Sequence, residues 1–422
     1  MIHPGDSLSR TQRIRYVIVL GALVALGPFT IDLYLPAFPI LAVELEASEV
    51  AVQFTLTATM IGFGLGQLAI GPWSDTVGRR LPLLIGTGIH VLASVGVAAA
   101  PDITWVLICR VLQGVGAAGA AVVAMATVRD LFAGQRLVRM LSRLALVTGL
   151  APILGPVIGS QLLVLLSWRG LFFVLAGYGA VIVILATFLI VETLPRERRH
   201  ARGLRAVGHR YRAVLRDRTF IGVALIAGLS FSGNFAYLAA SPFVFQGIHG
   251  LDAQQFGLIF ALNSVGLVIG SQTASRLMRR FPPPKILAVS LPTLALAGFG
   301  VALSAVFEWG LVPLVAFTFV YLFCVGVGFP SIQVTALSPH GSEAGTAAAL
   351  LGAINVGVAS LVTPIVGAFG TASALPMGLG MGIPVVVALA LLWIVVRPGR
   401  STVVGAETPV AAAALVTPST GD

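Results

Sequence analysis

The sequence predicts an all-α polytopic membrane protein, with twelve transmembrane helices in two six-helix halves. Three observations predict it. Hydrophobic residues make up 57% of the 422 residues and charged residues only 10%, against about 25% charged in a soluble domain. Apolar runs of about 20 residues recur between Gly, Pro and charge clusters, enough to cross a hydrocarbon core of roughly 30 Å at 1.5 Å per helical residue. Of the 26 basic residues, 24 gather in alternate connecting segments, as the rule of positive cytoplasmic loops requires. The hydrophobicity excludes a disordered chain, and the continuous runs exclude an alternating β-barrel.

Span 1 covers 15–36, behind Arg10, Arg13 and Arg15. It is too long for a signal peptide, and Pro36-Ala37-Phe38-Pro39 makes a poor cleavage site, so it stays as a helix. Span 2 (51–71) ends at a Gly-Pro turn. Span 3 (82–101) follows Arg79-Arg80 and holds His90, alone and read as a packed or hydrogen-bonded residue. Span 4 (103–126) holds Arg110, span 5 (141–165) is punctuated by Gly149, Pro156 and Gly159, and span 6 (168–191) begins at Trp168. The second half repeats the count with spans 219–246, 253–275, 286–306, 309–331, 344–369 and 373–396. All five tryptophans fall at span ends, as an interfacial belt expects.

With the N-terminus cytoplasmic, Arg110 falls inside a span and Arg169 on an outer loop, while the other 24 of the 26 basic residues face the cytoplasm. The net charge of +10 therefore marks orientation rather than a nucleic-acid partner. The longest polar stretch, 192–218, carries nine arginines between Arg196 and Arg218 and reads as a topogenic or lipid-headgroup-binding linker. It separates an N-terminal half (1–191) from a C-terminal half (219–396), and the Ala/Thr/Gly tail 397–422 is expected to be disordered and cytoplasmic. Cys109 and Cys324 lie within spans and imply no disulfide framework.

A weak internal repeat supports the two halves. Gly149, Pro156 and Gly159 of span 5 recur at the same spacing as Gly357, Pro364 and Gly367 of span 11, and Arg79-Arg80 matches Arg279-Arg280. Parallel halves joined by a basic loop suggest an alternating-access transporter with substrate held near midplane. No phosphate-binding loop, metal spacing or intramembrane His/Cys/carboxylate cluster is present, so neither ATP drive, a metal, a cofactor nor an enzyme is expected.

Two ionisable residues lie well inside spans, Asp32 and Arg110. A charge at bilayer depth costs at least about 2.5–3.5 kcal/mol, so such residues face a cavity or a partner. Both positions fall roughly 6–10 Å from the outer ends of their spans. The sequence makes Asp32 the candidate proton carrier and Arg110 the group that tunes it or holds a substrate anion or carbonyl; a static ion pair is the structural alternative. Tyr34, Gln113, Asn234, Tyr237, Asn263, Gln333 and Asn355 are polar or aromatic residues deep in apolar spans. Each is a candidate substrate-binding residue, and each could equally bond a neighbouring helix. With many Phe and Ala residues they describe a mostly apolar cavity with few polar anchors.

The loop Gly71-Pro72-Trp73-Ser74-Asp75-Thr76-Val77-Gly78-Arg79-Arg80 resembles the signature of the major facilitator superfamily. Gly71 and Gly78 are read as permitting a tight turn, and Asp75 as capping a helix or pairing with an arginine. The resemblance makes Gly71, Asp75, Gly78, Arg79 and Arg80 a conformational latch; Thr76 departs from the usual basic residue and puts one inter-helix charge contact in doubt. Thr30-Ile31-Asp32-Leu33-Tyr34-Leu35-Pro36-Ala37-Phe38-Pro39, Arg110 with Gln113-Gly114, Gly155-Pro156 with Gly159-Ser160, Trp168-Arg169-Gly170-Leu171-Phe172 and Glu192-Thr193-Leu194-Pro195 are similar to the bicyclomycin/chloramphenicol-resistance (Bcr/CflA) drug:proton antiporters. So are Ala240-Ser241-Pro242-Phe243-Val244-Phe245-Gln246 and Gly345-Thr346-Ala347 in the second half. The resemblance implies proton-coupled export of small hydrophobic drug-like compounds across the bacterial inner membrane, Asp32 and Arg110 in proton coupling, Gly155, Pro156 and Gly159 as the antiporter motif, and a monomer as the working unit. The competing reading is a proton symporter or facilitator importing a small metabolite.

Overall fold

The computed structural model describes residues 9–195, 199, 212–370 and 372–397. It contains twelve long helices: α1 (Arg10–Asp32), α2 (Glu49–Val77), α3 (Arg80–Ala98), α4 (Ile103–Leu131), α5 (Gly134–Leu165), α6 (Trp168–Leu189), α7 (Arg218–Pro242), α8 (Ala253–Leu277), α9 (Pro283–Val306), α10 (Leu311–Leu337), α11 (Ala344–Ala368) and α12 (Leu375–Leu391). Eleven of them are long and apolar enough to cross a bilayer, and α11 is apolar over Thr346–Leu361. No strand occurs among the described residues. Segment 200–211 of the basic linker and the tail 398–422 lie outside the described residues.

The helix starts follow from capping chemistry. Ser9 and Asp252 form capping boxes with Gln12 and Gln255, and Ser48, Asp102 and Asp217 accept N–H groups in the first turns of α2, α4 and α7. Spans 4, 5 and 10 run five to seven residues beyond the expected bounds, to Leu131, from Gly134 and to Leu337, and two other spans depart in ways that bear on the site. Span 2 does not turn at Gly71: α2 runs on through Pro72 to Val77, Gly71 lies on α4 with Val122 3.6 Å from its would-be Cβ, and the turn falls at Gly78, whose φ is 106°. Span 1 runs on past Pro36 to Glu44, but not as one α-helix. Proline rings clash with the carbonyl four residues earlier, here that of Asp32, and α1 stops at Asp32. A 3₁₀ turn, Leu35–Ala37, and a short helix, Phe38–Glu44, carry the chain onward.

The first six helices pack on one another, the last six likewise, and the two sets meet where α5 lies on α8 and α2 lies on α11. Exchange of the halves maps one seam onto the other. A closer sign of the repeat is glycine packing. A Cβ on Gly62 or on Gly114 would strike the carbonyl of Val111 or of Thr59, joining α2 to α4. Gly270 and Gly326 face the carbonyls of Phe323 and Leu267 in the same way, joining α8 to α10. Without a hydrophobic force between helices in lipid, this close backbone approach is what packs them. The outward faces carry apolar side chains such as Leu92, Phe188, Val289 and Leu361. One end of the bundle carries Glu44, Asp102, Asp252 and Glu308, and the other Arg79, Arg80, Arg279 and Arg280; these are the acidic and basic ends below.

Candidate functional site

The site is built on the break in α1. Ending a helix leaves its last carbonyls without partners, and the carbonyl of Thr30 is taken by Arg110 from α4, whose Nη1 donates to it at 3.0 Å. The same nitrogen donates to Gln113 Oε1 at 2.5 Å, one turn along α4. The guanidinium lies over the Tyr34 ring, 4.1 Å from its centroid, and 5.7 Å from that of Phe172. Among the described residues its Nε and Nη2 make no hydrogen bond of good geometry. Arg110 is fully buried, and in hydrocarbon such a charge is held by its bonds and by the aromatic faces.

Asp32 and Arg110 do not form an ion pair in this structure: Arg110 bonds the Thr30 carbonyl, and Asp32 lies against α5. Asp32 is 5% exposed, and among the described residues its carboxylate is in no hydrogen bond and no ion pair. The glycines of α5 explain why it sits there. A Cβ on Gly155 would lie 2.8 Å from Asp32 Cβ, and one on Gly159 would overlap the Leu33 carbonyl. The backbone of α5 therefore rests directly on the α1 break. Pro156 denies its N–H to the carbonyl of Pro152, and Ser264 Oγ of α8 donates to that carbonyl at 3.3 Å. The Gly155, Pro156 and Gly159 set thus joins α5 to α1 on one side and to α8 on the other.

The structure divides the remaining polar candidates. Tyr34 and Gln113 are fully buried and used internally: Tyr34 OH lies 2.9 Å from Thr55 Oγ1, and Gln113 Nε2 donates to Ser94 Oγ at 2.7 Å. Ser94 in turn donates to the His90 carbonyl, and His90 Nδ1 lies 3.4 Å from the Gln113 carbonyl. Tyr237 and Asn263 are brought together, Asn263 Nδ2 donating to Tyr237 OH at 2.9 Å and to Thr318 Oγ1 at 3.1 Å. Asn234 and Gln333 make no hydrogen bond among the described residues, and Asn355 Oδ1 is buried without a partner. Sequence reading passed over Gln53, which is 1% exposed with neither amide atom bonded. Its place in an apolar span was the available signal.

At the basic end, Arg79 gathers the residues around the turn after α2. Its Nη1 donates to Asp75 Oδ1 at 2.5 Å and Ser74 Oγ at 2.9 Å, and its Nε donates to Asp130 Oδ2 of α4 at 2.8 Å. Burial alone would lower the Arg79 pKa, but the bonds to Asp130 and Asp75 outweigh it and hold the pKa above the ordinary arginine value. Glu192, after α6, accepts the backbone N–H groups of Arg79 at 2.8 Å and Arg80 at 3.2 Å, capping α3. Gly78 is required here, because a Cβ would meet the Glu192 carboxylate. Arg80 donates from Nη2 to the Thr187 carbonyl at 2.7 Å. Thr76, the departure noted in the sequence, donates to the Trp73 carbonyl of its own helix. Asp130 and Glu192 are partners of Arg79 to which the sequence gave no role.

A model of the Major Facilitator Superfamily matches residues 18–364. The chain belongs to that superfamily. It is 36% identical over 378 residues to an uncharacterised MFS-type transporter, YdgK, of Bacillus subtilis (strain 168), spanning 89% of this chain and 94% of that one. It is 29% identical over 383 residues to a bicyclomycin resistance protein homolog of Haemophilus influenzae, spanning 89% and 94%. It is 30% identical over 398 residues to the multidrug resistance protein MdtL of Salmonella heidelberg, spanning 94% and 98%. These relatives uphold the resemblance to the bicyclomycin/chloramphenicol-resistance type. Among solved structures, a D-xylose-proton symporter shares the fold at a TM-score of 0.75 and 17% identity, with 93% of this chain and 99% of that one covered. The partially occluded inward-open xylose transporter XylE of E. coli does so at 0.73 and 14%, with 93% and 100% covered. This member of the superfamily is a multi-pass membrane transporter and not an enzyme.

Proposed function

We propose that this transporter is a proton-coupled antiporter that exports small hydrophobic drugs or antibiotics across the bacterial inner membrane by alternating access, as a monomer with both termini cytoplasmic. The observation that carries the reading is the unpaired Asp32 carboxylate at the end of α1, against Gly155 of α5. A carrier must exchange its proton with water in one state and be shielded in another, and an acid without a fixed partner at a packed helix break meets that need. Arg110 holds the Thr30 carbonyl, two residues before Asp32 on α1, and in this reading its charge tunes that exchange as the cavity changes shape. The six-helix halves either side of the basic linker are the bodies that move. Names of the relatives, bicyclomycin resistance and multidrug resistance, support drug-like substrates, and the basic end is assigned to the cytoplasm by its arginines.

Everted membrane vesicles test this. With an imposed proton gradient, acid inside, wild type should accumulate a hydrophobic drug and collapse the gradient, and Asp32→Asn should do neither while remaining expressed. Uptake in the opposite direction relative to the gradient would establish the importing symporter instead. Normal gradient-driven transport by Asp32→Asn would remove Asp32 from the mechanism.

A further inference from the structure

Arginines that the turn after α2 does not use stand on the outer side of the seam between α5 and α8. On α5, Arg139 and Arg143 lead into Leu146, Leu150 and Leu154 at steps of three or four residues, so the five share one face, and all are exposed. Arg143 and Leu154 are separated by about 16 Å of helix, close to half of a hydrocarbon core of roughly 30 Å. On α8 the same steps join Leu262, Val265 and Ile269 to Gln272, Arg276 and Arg279, the last in the turn after the helix, and these too are exposed. Each face is apolar along one leaflet and cationic at the basic end.

The two faces lie side by side. α5 packs on α1 and α8, and α8 packs on α5 and α10, so both helices turn their remaining side away from the bundle. They touch at Gly149, whose would-be Cβ lies 3.9 Å from Val268. From that contact Arg143 lies roughly 9 Å along α5 and Arg276 roughly 12 Å along α8, which sets the arginines at similar depth on the two sides of the seam. Among the described residues the side chains of Arg139, Arg143, Arg276 and Arg279 make no hydrogen bond or ion pair. No carboxylate is near them in the chain either, since none occurs between Asp130 and Glu192 or between Asp252 and Glu308. The internal repeat sharpens the point. Arg79 is held by Asp75 and Asp130, but beside the matching Arg279 the place of Asp75 is taken by Ser275. α11, the counterpart of α5, begins Ala344-Gly345-Thr346-Ala347 with no basic residue, so the repeat does not require the arginines of α5.

We propose that the outer side of the α5–α8 seam binds an anionic phospholipid with two phosphates, one held by Arg139 and Arg143 and the other by Arg276 and Arg279. Its acyl chains lie along Leu146, Leu150 and Leu154 of α5 and Val265 and Ile269 of α8. Guanidinium forks match phosphate oxygens in pairs. Arg139 and Arg143 belong to the first half and Arg276 and Arg279 to the second, so without the lipid like charges push the two helix ends apart. A shared anion removes that push and ties the halves together at the basic end. The proposal rests on the transport reading only for this consequence, and binding itself is measured without a gradient.

The test uses purified full-length protein in detergent, with fluorescent cardiolipin as the probe. Unlabelled cardiolipin, phosphatidylglycerol, phosphatidylcholine and inorganic pyrophosphate serve as competitors. Saturable binding of one cardiolipin per chain is expected, displaced by unlabelled cardiolipin, less by phosphatidylglycerol, and by neither phosphatidylcholine nor pyrophosphate. An arginine near the membrane surface adds about fivefold to affinity for anionic lipid, so a pair adds about 25-fold. Arg139→Gln with Arg143→Gln should weaken binding by that amount, and so should Arg276→Gln with Arg279→Gln. Arg216→Gln with Arg218→Gln removes the same charge from the start of α7 at the same end of the molecule and should leave binding unchanged. All six positions are exposed, so the thermal midpoints without lipid should agree, and cardiolipin should raise that of wild type but not of the α5 or α8 variant. Equal weakening by all three pairs shows general attraction to a basic surface and overturns the site. Displacement by pyrophosphate shows a free-anion site instead of a lipid site, and weakening by only the α5 or only the α8 pair overturns the bridge between the halves. Each of these results leaves gradient-driven transport as it stands, and loss of transport with cardiolipin binding intact leaves the lipid site.

Discussion

Replacing Gly159 by alanine tests whether the Gly155, Pro156 and Gly159 set acts through the α1 break. The added methyl would overlap the carbonyl oxygen of Leu33. Non-bonded contacts of carbon settle at about 3.5–4.0 Å, so α5 would have to retreat from α1 by more than about 1 Å. It has little room to do so. On its other side α8 is equally close, since a Cβ on Gly257 would lie 2.5 Å from Ser160 Oγ and 3.0 Å from the Pro156 carbonyl. A methyl between two such neighbours is overpacking, which costs about 1–3 kcal/mol.

If that cost falls on the working conformation, transport drops by about fivefold to 150-fold at tenfold per 1.4 kcal/mol. The control is Gly177→Ala on α6, where a Cβ meets nothing within 4 Å and alanine favours the helix. Both variants are reconstituted, their thermal midpoints recorded in detergent, and drug transport measured per folded molecule. Gly159→Ala should lose midpoint and transport, and Gly177→Ala neither. Equal behaviour of the two would refute the packing argument.

Three further expectations follow from the geometry. Arg110→Lys keeps the charge but not the planar fork that reaches Thr30 and Gln113 from one nitrogen while stacking on Tyr34; it should reduce transport at least tenfold, roughly, with expression retained, and full activity would show that charge alone suffices. Glu192→Ala removes the acceptor for the first N–H groups of α3 and should lower stability by about 1 kcal/mol. Burial raises the Glu192 pKa, but the N–H groups of Arg79, Leu194 and Arg80 and the charge of Arg199 outweigh it, and the carboxyl sits below the ordinary glutamate value. Its contribution is therefore complete above the unfolded value and is lost as pH falls through the folded one, so the gap in midpoint between wild type and variant should close below about pH 4. Glu44→Gln disturbs an exposed pair with Arg169, 3.0 Å apart with side chains 43% and 36% exposed, and should shift stability by less than about 1 kcal/mol.

What the sequence made legible was whatever depends on one helix. Apolar runs located the spans because the bilayer sets their length, and the i, i+3 spacing of Arg110 and Gln113 already placed them on one face. Contacts between helices were not legible in the same way. Nothing in the spacing of Asp130 or Glu192 ties them to Arg79, and the Gly62/Gly114 and Gly270/Gly326 pairs emerge only when α2 meets α4 and α8 meets α10. The ending of α1 at Asp32 was within reach, since Pro36 obstructs the carbonyl four residues back. Reading the apolar run to its last residue concealed it. Arg169, the exception to the charge segregation, has its reason in a partner: it shares Glu44 with the Trp168 indole and also donates to the Ala100 carbonyl at 3.2 Å.

The energy scale of the inter-half seam bears on how a single proton could move it. Toward the acidic end, Gln246 donates to the Pro36 carbonyl at 3.1 Å, Gln254 to that of Ser160 at 3.1 Å, and Ser264 to that of Pro152. Phe38 and Phe243 add a ring contact at 5.9 Å. Interhelical hydrogen bonds in membranes average about 0.6 kcal/mol, and an aromatic pair contributes about 0.5–1.5 kcal/mol, so these contacts hold the end together by only a few kcal/mol. One pKa unit of difference between two states is worth about 1.4 kcal/mol, and inverting a 1:99 population takes about 5.5 kcal/mol. A carboxylate whose surroundings differ by about four such units between states would therefore supply the required energy alone, and a bound substrate lowers what is asked of it. Asp32 is placed to do this because its backbone is in contact with α5, and α5 carries two of the three bonds. On the proposed mechanism, protonation at the α1 break would act on the separation of α5 from α8 through Gly155 and Gly159, which touch that break directly.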